Sequence, residues 1–209
     1  ILFQARNRRG LGHLARGLNI AHELRKLAPH SQIAFYTRNT PEQNLLDGFT
    51  CHVEPNDGAG LADWETLVKQ WLPDVTVYDT MLPESLPAAT QRATFLMRRC
   101  QDSVQHNILA NPLLRQFDCI LVPHTHDDFP FELPPAIQER THFIGPIVRT
   151  ADPAQQASLR TVYGLDANQL TLVSTPGGGG FEQQAARFIE IIVQAHALIE
   201  AKGIAFRHI

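Results

Sequence analysis

The sequence contains no run of about 18 or more apolar residues, so it offers no transmembrane helix. It has no basic-then-apolar leader of the secretory kind at its start. Cysteine is scarce. Cys51, Cys100 and Cys119 are odd in number, widely spaced, and form no C-x-x-C pair. That pattern fits unpaired thiols in a reducing, cytoplasmic setting. A strong charge of one sign is also missing. The net charge of −3 gives no general reason to expect a nucleic-acid partner.

What remains is the composition of an ordinary globular protein, 44% hydrophobic and 19% charged, in a chain of 209 residues. That length exceeds an average domain and can bury a substantial core. Basic residues gather locally at Arg6, Arg8 and Arg9, and again at Arg98-Arg99. They read either as solvated loop charges or as an attraction for an anionic substrate or lipid headgroup.

The most informative stretch is the opening. Ile1-Leu2-Phe3-Gln4-Ala5 reads as a β-strand, and Arg6-Asn7-Arg8-Arg9-Gly10-Leu11-Gly12 as a loop. A helix follows, with Leu14, Leu18, Ile20, Ala21, Leu24 and Leu27 close to helical period. A glycine-rich strand-to-helix turn lets a ligand approach the backbone, and the helix start offers N–H groups to an anion or hydroxyl. His13 stands at that start. Histidine titrates near neutral pH and can take a proton from a bound hydroxyl.

Three readings compete for this turn. It is a packing turn whose histidine caps or fills space. It is a dinucleotide fingerprint, because Gly10-x-Gly12-x-x-Ala15 fits G-x-G-x-x-A. It is the acceptor loop of a sugar-transfer enzyme with His13 as general base. The fingerprint wants an acidic residue about 20 positions on. Here the second strand, Gln32-Ile33-Ala34-Phe35-Tyr36, runs into Thr37-Arg38-Asn39 without a carboxylate. That disfavours NAD, while Arg38 leaves room for NADP.

The segment GLGHLARGLNIAHEL, with its G-x-G-H-x-x-R core, resembles the first loop and helix of GT-B glycosyltransferases related to the family 28 peptidoglycan N-acetylglucosaminyltransferase. It is similar also to the UDP-sugar hydrolases of pseudaminic acid synthesis. Downstream, THFIGPIVR resembles the end of the N-terminal domain of these enzymes. TLVSTPGGGG resembles the first strand and glycine loop of their C-terminal domain. The resemblance implies an N-terminal, acceptor-side domain over residues 1–147. Residues 148–209 would then be a linker and the first part of a donor-nucleotide domain. It implies a nucleotide-sugar as co-substrate, with no other cofactor, and an acceptor held by Asn7, Arg8, Gly10 and Gly12.

The pattern along the chain predicts the same α/β class: a Rossmann-like parallel sheet plus the start of a second such domain. Strands are expected at 33–36, 50–53, 75–79, 94–97, 119–122 and 142–144, and helices at 61–72 and 101–114. Phe129-Pro130-Phe131-Glu132-Leu133-Pro134-Pro135 reads as a proline-rich loop and residues 149–153 as a linker. Beyond lie a short helix at 155–163, a strand at 170–174, a glycine loop at 175–180, a long helix at 181–201, and the start of a strand at 204–209. A second Rossmann-like sheet needs more β-α units than these, which predicts further chain in the whole protein.

Sugar transfer needs a base for the acceptor and positive potential for the departing diphosphate. His13 is the candidate base. Asp79, at the carboxyl end of a predicted strand, either orients its ring or caps the turn that follows. Gly177, Gly178, Gly179 and Gly180 lie between a strand and a helix, a context that lets backbone N–H groups meet a diphosphate. Ser174 and Thr175 would add hydroxyl donors; otherwise this is a flexible turn. His124-Thr125-His126-Asp127-Asp128 carries metal-ligating residue types. It reads as a polar loop, and no metal is expected, since the GT-B enzymes it resembles are metal-independent. His22 and His30 read as surface residues.

The leading expectation is an inverting glycosyltransferase. The close alternative is a nucleotide-sugar hydrolase in which His13 activates water. An NADP-binding Rossmann protein and a non-catalytic regulatory relative stay open.

Overall fold

The computed structural model describes residues 1–6, 11–55, 60–150, 152–166, 168–175 and 182–209. They fall into two compact units, Ile1–Val148 and Arg149–Ile209. The first unit runs β1 (Leu2–Gln4), α1 (Gly12–Leu27), β2 (Ala34–Thr37), α2 (Gln43–Leu46), β3 (Thr50–Val53), α3 (Gly60–Trp71) and β4 (Thr76–Asp79). It continues through β5 (Ala93–Leu96), α4 (Asp102–Ala110), a 3₁₀ turn (Pro112–Gln116), β6 (Cys119–Val122), α5 (Pro135–Gln138) and β7 (Thr141–Phe143).

All seven strands are parallel, in the order β3-β2-β1-β4-β5-β6-β7. The α/β class and Rossmann-like sheet are therefore those the β-α alternation predicts. Because side chains alternate across a strand, each strand feeds two cores. Phe3, Phe35 and Val77 join Leu14, Leu18 and Ala21 of α1 on one face. Leu2, Ala34, Tyr36 and Tyr78 join Trp64, Leu67 and Val68 of α3 on the other. Trp64 is fully buried and its indole N–H donates to the Tyr78 hydroxyl at 3.3 Å. Burial as hydrophobic as this on both faces is what holds a parallel sheet.

Helix α1 sits close to the sheet at Gly17. A Cβ built there would stand 2.9 Å from the Phe35 ring, so glycine is what permits this approach.

Several expectations need correction. The helix expected at 101–114 ends at Ala110, because Pro112 cannot continue it and starts a 3₁₀ turn capped by the Asn111 side chain. The proline-rich stretch leads into a short helix, α5, with Pro135 at its first turn. Helix α2 has no counterpart in the sequence reading. Asp47 follows it at φ +47°, and the chain turns there so that Phe49 is buried. His22 is consequently not a surface residue. Its side chain is 12% exposed, its Nε2 lies 3.5 Å from Asp47 Oδ2, and its ring is edge-on to Phe49. Leu27 ends α1 outside the core, 82% exposed.

The second unit holds α6 (Pro153–Val162), β8 (Leu170–Leu172), α7 (Glu182–Ala201) and β9 (Phe206–His208). Helix α6 begins at Pro153, inside the expected linker, with the Asp152 side chain accepting from the Ala154 N–H. Strands β8 and β9 pair in parallel. Among the described residues no helix is long and apolar enough to cross a membrane.

Candidate active site

The strand order reverses between β1 and β4. Doubly wound sheets bind ligands in the crevice outside the carboxyl ends of the strands at such a point. Gln4 of β1 lies opposite Tyr78 of β4, so Asp79 and Ala5 stand together at the carboxyl ends of the two strands. Helix α1 starts beside it. Among the described residues no side chain caps α1, and its first turn has no acidic residue, so they leave the positive end of the helix without an acidic neighbour of its own. Among the described residues nothing lies within 4 Å of a Cβ built on Gly12.

Two side chains of α1, three positions apart and so on one face, reach Asp79. His13 Nδ1 stands 3.1 Å from Asp79 Oδ1, within ion-pair distance but not aligned for a hydrogen bond. Arg16 Nη1 donates to the same oxygen at 2.5 Å. The Thr80 hydroxyl donates to it at 2.7 Å. Thr80 adopts φ +64°, a region a β-branched residue rarely enters, and this backbone places its hydroxyl beside the carboxylate. Asp79 is 3% exposed, and its Oδ2 has no hydrogen-bond partner among the described residues. The arrangement is a buried carboxylate that collects an imidazole, a guanidinium and a hydroxyl on one oxygen. Chemically the carboxylate can offset the charge that an imidazole beside it acquires on taking a proton.

No protein-family model and no curated protein sequence matches the chain. Among solved structures, it is similar to that of Phytolacca americana UGT2 complexed with UDP-2fluoro-glucose and pterostilbene, with a TM-score of 0.52 and 12% identity. The match covers 87% of this chain and 61% of that one. The likeness is one of fold.

The structure thus brings His13, Asp79 and Gly12 together at the switch point. Asn7, Arg8 and Gly10, and Gly177, Gly178, Gly179 and Gly180, lie outside the described residues. Ser174 and Thr175 belong to the second unit. Ser174 Oγ is 2.5 Å from His208 Nε2.

Sequence reading missed Arg16 and Thr80. Arg16 closes the G-x-G-H-x-x-R stretch, three residues after His13, and that spacing was the available signal. Thr80 gave none, since a positive φ at threonine has no sequence mark. A second polar pair was missed as well. Arg6, just after β1, makes a two-pronged ion pair with Glu54, just after β3, at 2.7 Å for each oxygen. Glu54 packs where a Cβ on Gly60 would clash, so the glycine at the start of α3 makes the pair possible.

The His124–Asp128 stretch is divided among other tasks. His124 Nε2 accepts the Arg99 N–H at 3.0 Å, the His126 ring stacks on Phe143 at 3.9 Å, and Asp128 accepts from the Thr125 hydroxyl. Among the described residues no three His, Cys, Asp or Glu side chains gather as a metal site. Burial pushes the His124 pKa down; Asp128 opposes this, and Arg16, Arg98 and Arg99 reinforce it. Three guanidinium groups therefore share the field of this ring, one of them the partner of Asp79. A cavity of about 640 Å³ is lined by Ile1, Gln32, Trp71 and Asp74. It lies at the amino ends of the strands, the opposite end of the sheet from His13.

Proposed function

We propose that the chain carries the acceptor-side domain, and the first part of the donor-side domain, of an inverting glycosyltransferase that uses a nucleotide-sugar. The observation that carries this reading is His13 at the start of α1 facing the buried Asp79 across the switch point. The fold likeness to a structure that holds UDP-2fluoro-glucose supports the donor class.

In this reading His13 Nδ1 faces Asp79, which leaves Nε2 for the substrate. Nε2 takes the proton of an acceptor hydroxyl as its oxygen attacks the sugar's anomeric carbon. The bond from that carbon to the diphosphate oxygen breaks, and the diphosphate leaves from the opposite face, which inverts the centre. Asp79 stabilises the imidazolium so formed. Arg16 and Thr80 hold the carboxylate in place. Asn7, Arg8, Gly10 and Gly12 are assigned to the acceptor. Ser174, Thr175 and the glycines 177–180 are assigned to the diphosphate. The free cysteines Cys51, Cys100 and Cys119 suit a reaction in the cytoplasm.

The test is incubation of the full protein with UDP-sugars and a panel of hydroxyl acceptors, with products followed by mass spectrometry. A glycoside of inverted configuration together with UDP supports the reading. UDP with free sugar, whatever acceptor is supplied, replaces it with hydrolysis at the same site. Nucleotide-sugar left intact under every condition contradicts both.

A further inference from the structure

We infer that Arg98 and His124 form a carboxylate-binding subsite at the carboxyl ends of β5 and β6, and that the acceptor is a hydroxy acid of about sugar size. The inference rests on the glycosyltransferase reading above, which places the acceptor hydroxyl at His13 and assigns neither of these residues.

The strand register sets the place. Asp79 pairs with Leu96, and Leu96 with Leu121. The ladder runs on past β5, where the Met97 N–H donates to the Leu121 carbonyl at 2.9 Å. Phe95 and Met97 turn into the core that α3 covers, so Leu96 and Arg98 alternate to the opposite face. Val77 of β4 joins the core that α1 covers, and Asp79, two residues on, shares its face. Arg98 and Asp79 thus lie on the α1 side of the sheet, at the ends of neighbouring strands. His124 follows β6, one strand further. Neighbouring strands are about 4.8 Å apart, so an anion held by Arg98 and His124 lies about 5–10 Å to the side of Asp79 and its histidine. One small acceptor spans that gap.

Hydrogens and charges select the ligand. The Arg99 backbone N–H donates to His124 Nε2 at 3.0 Å, so the neutral ring carries its proton on Nδ1. That Nδ1–H has no acceptor among the described residues. Arg98 is exposed, and its guanidinium has no hydrogen-bond or ion-pair partner among the described residues. Arg99 Nη1, by contrast, donates to the Asp128 carbonyl at 3.2 Å, and Arg16 is bound to Asp79. Burial pushes the His124 pKa down, Asp128 opposes this, and Arg16, Arg98 and Arg99 reinforce it, so these charges stand around one ring. Against the three guanidinium groups there are two carboxylates, Asp79 and Asp128, which leaves one cation unmatched. A single unmatched cation suits a monoanion. The fork of Arg98 meets both oxygens of a carboxylate, and His124 Nδ1–H adds a third donor. A phosphate dianion would bring a second charge with no cation to meet it.

The experiment compares hexuronates with the matching neutral hexoses on the full protein. By NMR, glucuronate and galacturonate should shift the His124 imidazole ¹⁵Nδ1 resonance, while glucose and galactose should not. In transfer assays with UDP-sugars, methyl glycosides of the acids should be used about tenfold or more better, by kcat/KM, than those of the neutral sugars, the worth of hydrogen bonds to a charged group. Arg98→Gln should raise KM for the acids about tenfold with kcat little changed, and should leave the neutral acceptors as they were. Arg98→Lys should recover part of the preference. His124→Gln, which keeps an acceptor for the Arg99 N–H and a donor for the ligand, should retain more of it than His124→Leu. An unmoved His124 resonance, equal use of acid and neutral acceptors, or a preference that survives Arg98→Gln would overturn the subsite and leave glycosyl transfer standing. Binding of sugar phosphates or of phosphatidylglycerol vesicles, with none of the uronates, would overturn the carboxylate assignment. A His124 shift with uronates that is lost in Arg98→Gln, in a protein that transfers sugar to no acceptor, would keep the anion site and remove the transferase reading.

Discussion

Asp79 Oδ1 is shared by Arg16, Thr80 and His13, and that sharing decides how the site behaves. In the proposed mechanism Arg16 acts through the carboxylate, as a positioning residue. Arg16→Gln should lower kcat by about tenfold or more with a smaller change in KM, and Arg16→Lys should recover part of the loss. The same change strips a partner from a buried acceptor and should cost about 1–3 kcal/mol of stability, read by urea unfolding. His124 makes a separate prediction. Its pKa lies below the ordinary histidine value, so the folded protein binds this proton less readily than the unfolded chain does. Its contribution to stability is present at neutral pH and is lost as pH falls through the range below 6.5. An NMR titration of its ring should show a midpoint under 6.5; a midpoint above that value would contradict the burial described here. At this scale the sequence exposed His13 and Asp79, because a histidine at a glycine turn and an acid at a strand end are local patterns. It hid Thr80, whose role depends on backbone conformation, and the convergence of Arg16 on Asp79, residues 63 positions apart.

At the scale of elements, α1 carries both His13, the proposed base, and Arg16, which holds Asp79, so its seating on the sheet sets the site's geometry. Gly17 fixes that seating. Alanine in a helix is ordinarily favoured over glycine by up to about 1 kcal/mol. Here the added methyl would stand 2.9 Å from Phe35, a buried ring with no room to retreat. Gly17→Ala should therefore destabilise by about 1–3 kcal/mol in chemical denaturation, and a stabilised variant would mean that the helix shifts freely. The long periodic elements α1 and α3 and the apolar strands were legible, since period alone marks them. Helix α2 and helix α5 were not, because a four-residue helix carries no period. The split of α4 from the 3₁₀ turn was announced by Pro112, a breaker the apolar pattern outweighed in the reading of residues 101–114.

For the whole molecule, the β-α alternation led directly to a parallel sheet, and the strand order then placed the crevice at β1 and β4. The order itself was not legible, since pairing between β1 and β4 joins residues more than 70 positions apart. The proposed chemistry depends on that crevice, with His13 as the base. The most direct measurement is steady-state turnover of a nucleotide-sugar by His13→Ala beside the unsubstituted protein, with UDP affinity measured on both. Loss of a general base costs about 100- to 10,000-fold in rate. The account predicts a fall in kcat of that size with UDP affinity unchanged, and a smaller fall of the same kind for Asp79→Asn. Turnover by His13→Ala near that of the unsubstituted protein would contradict it.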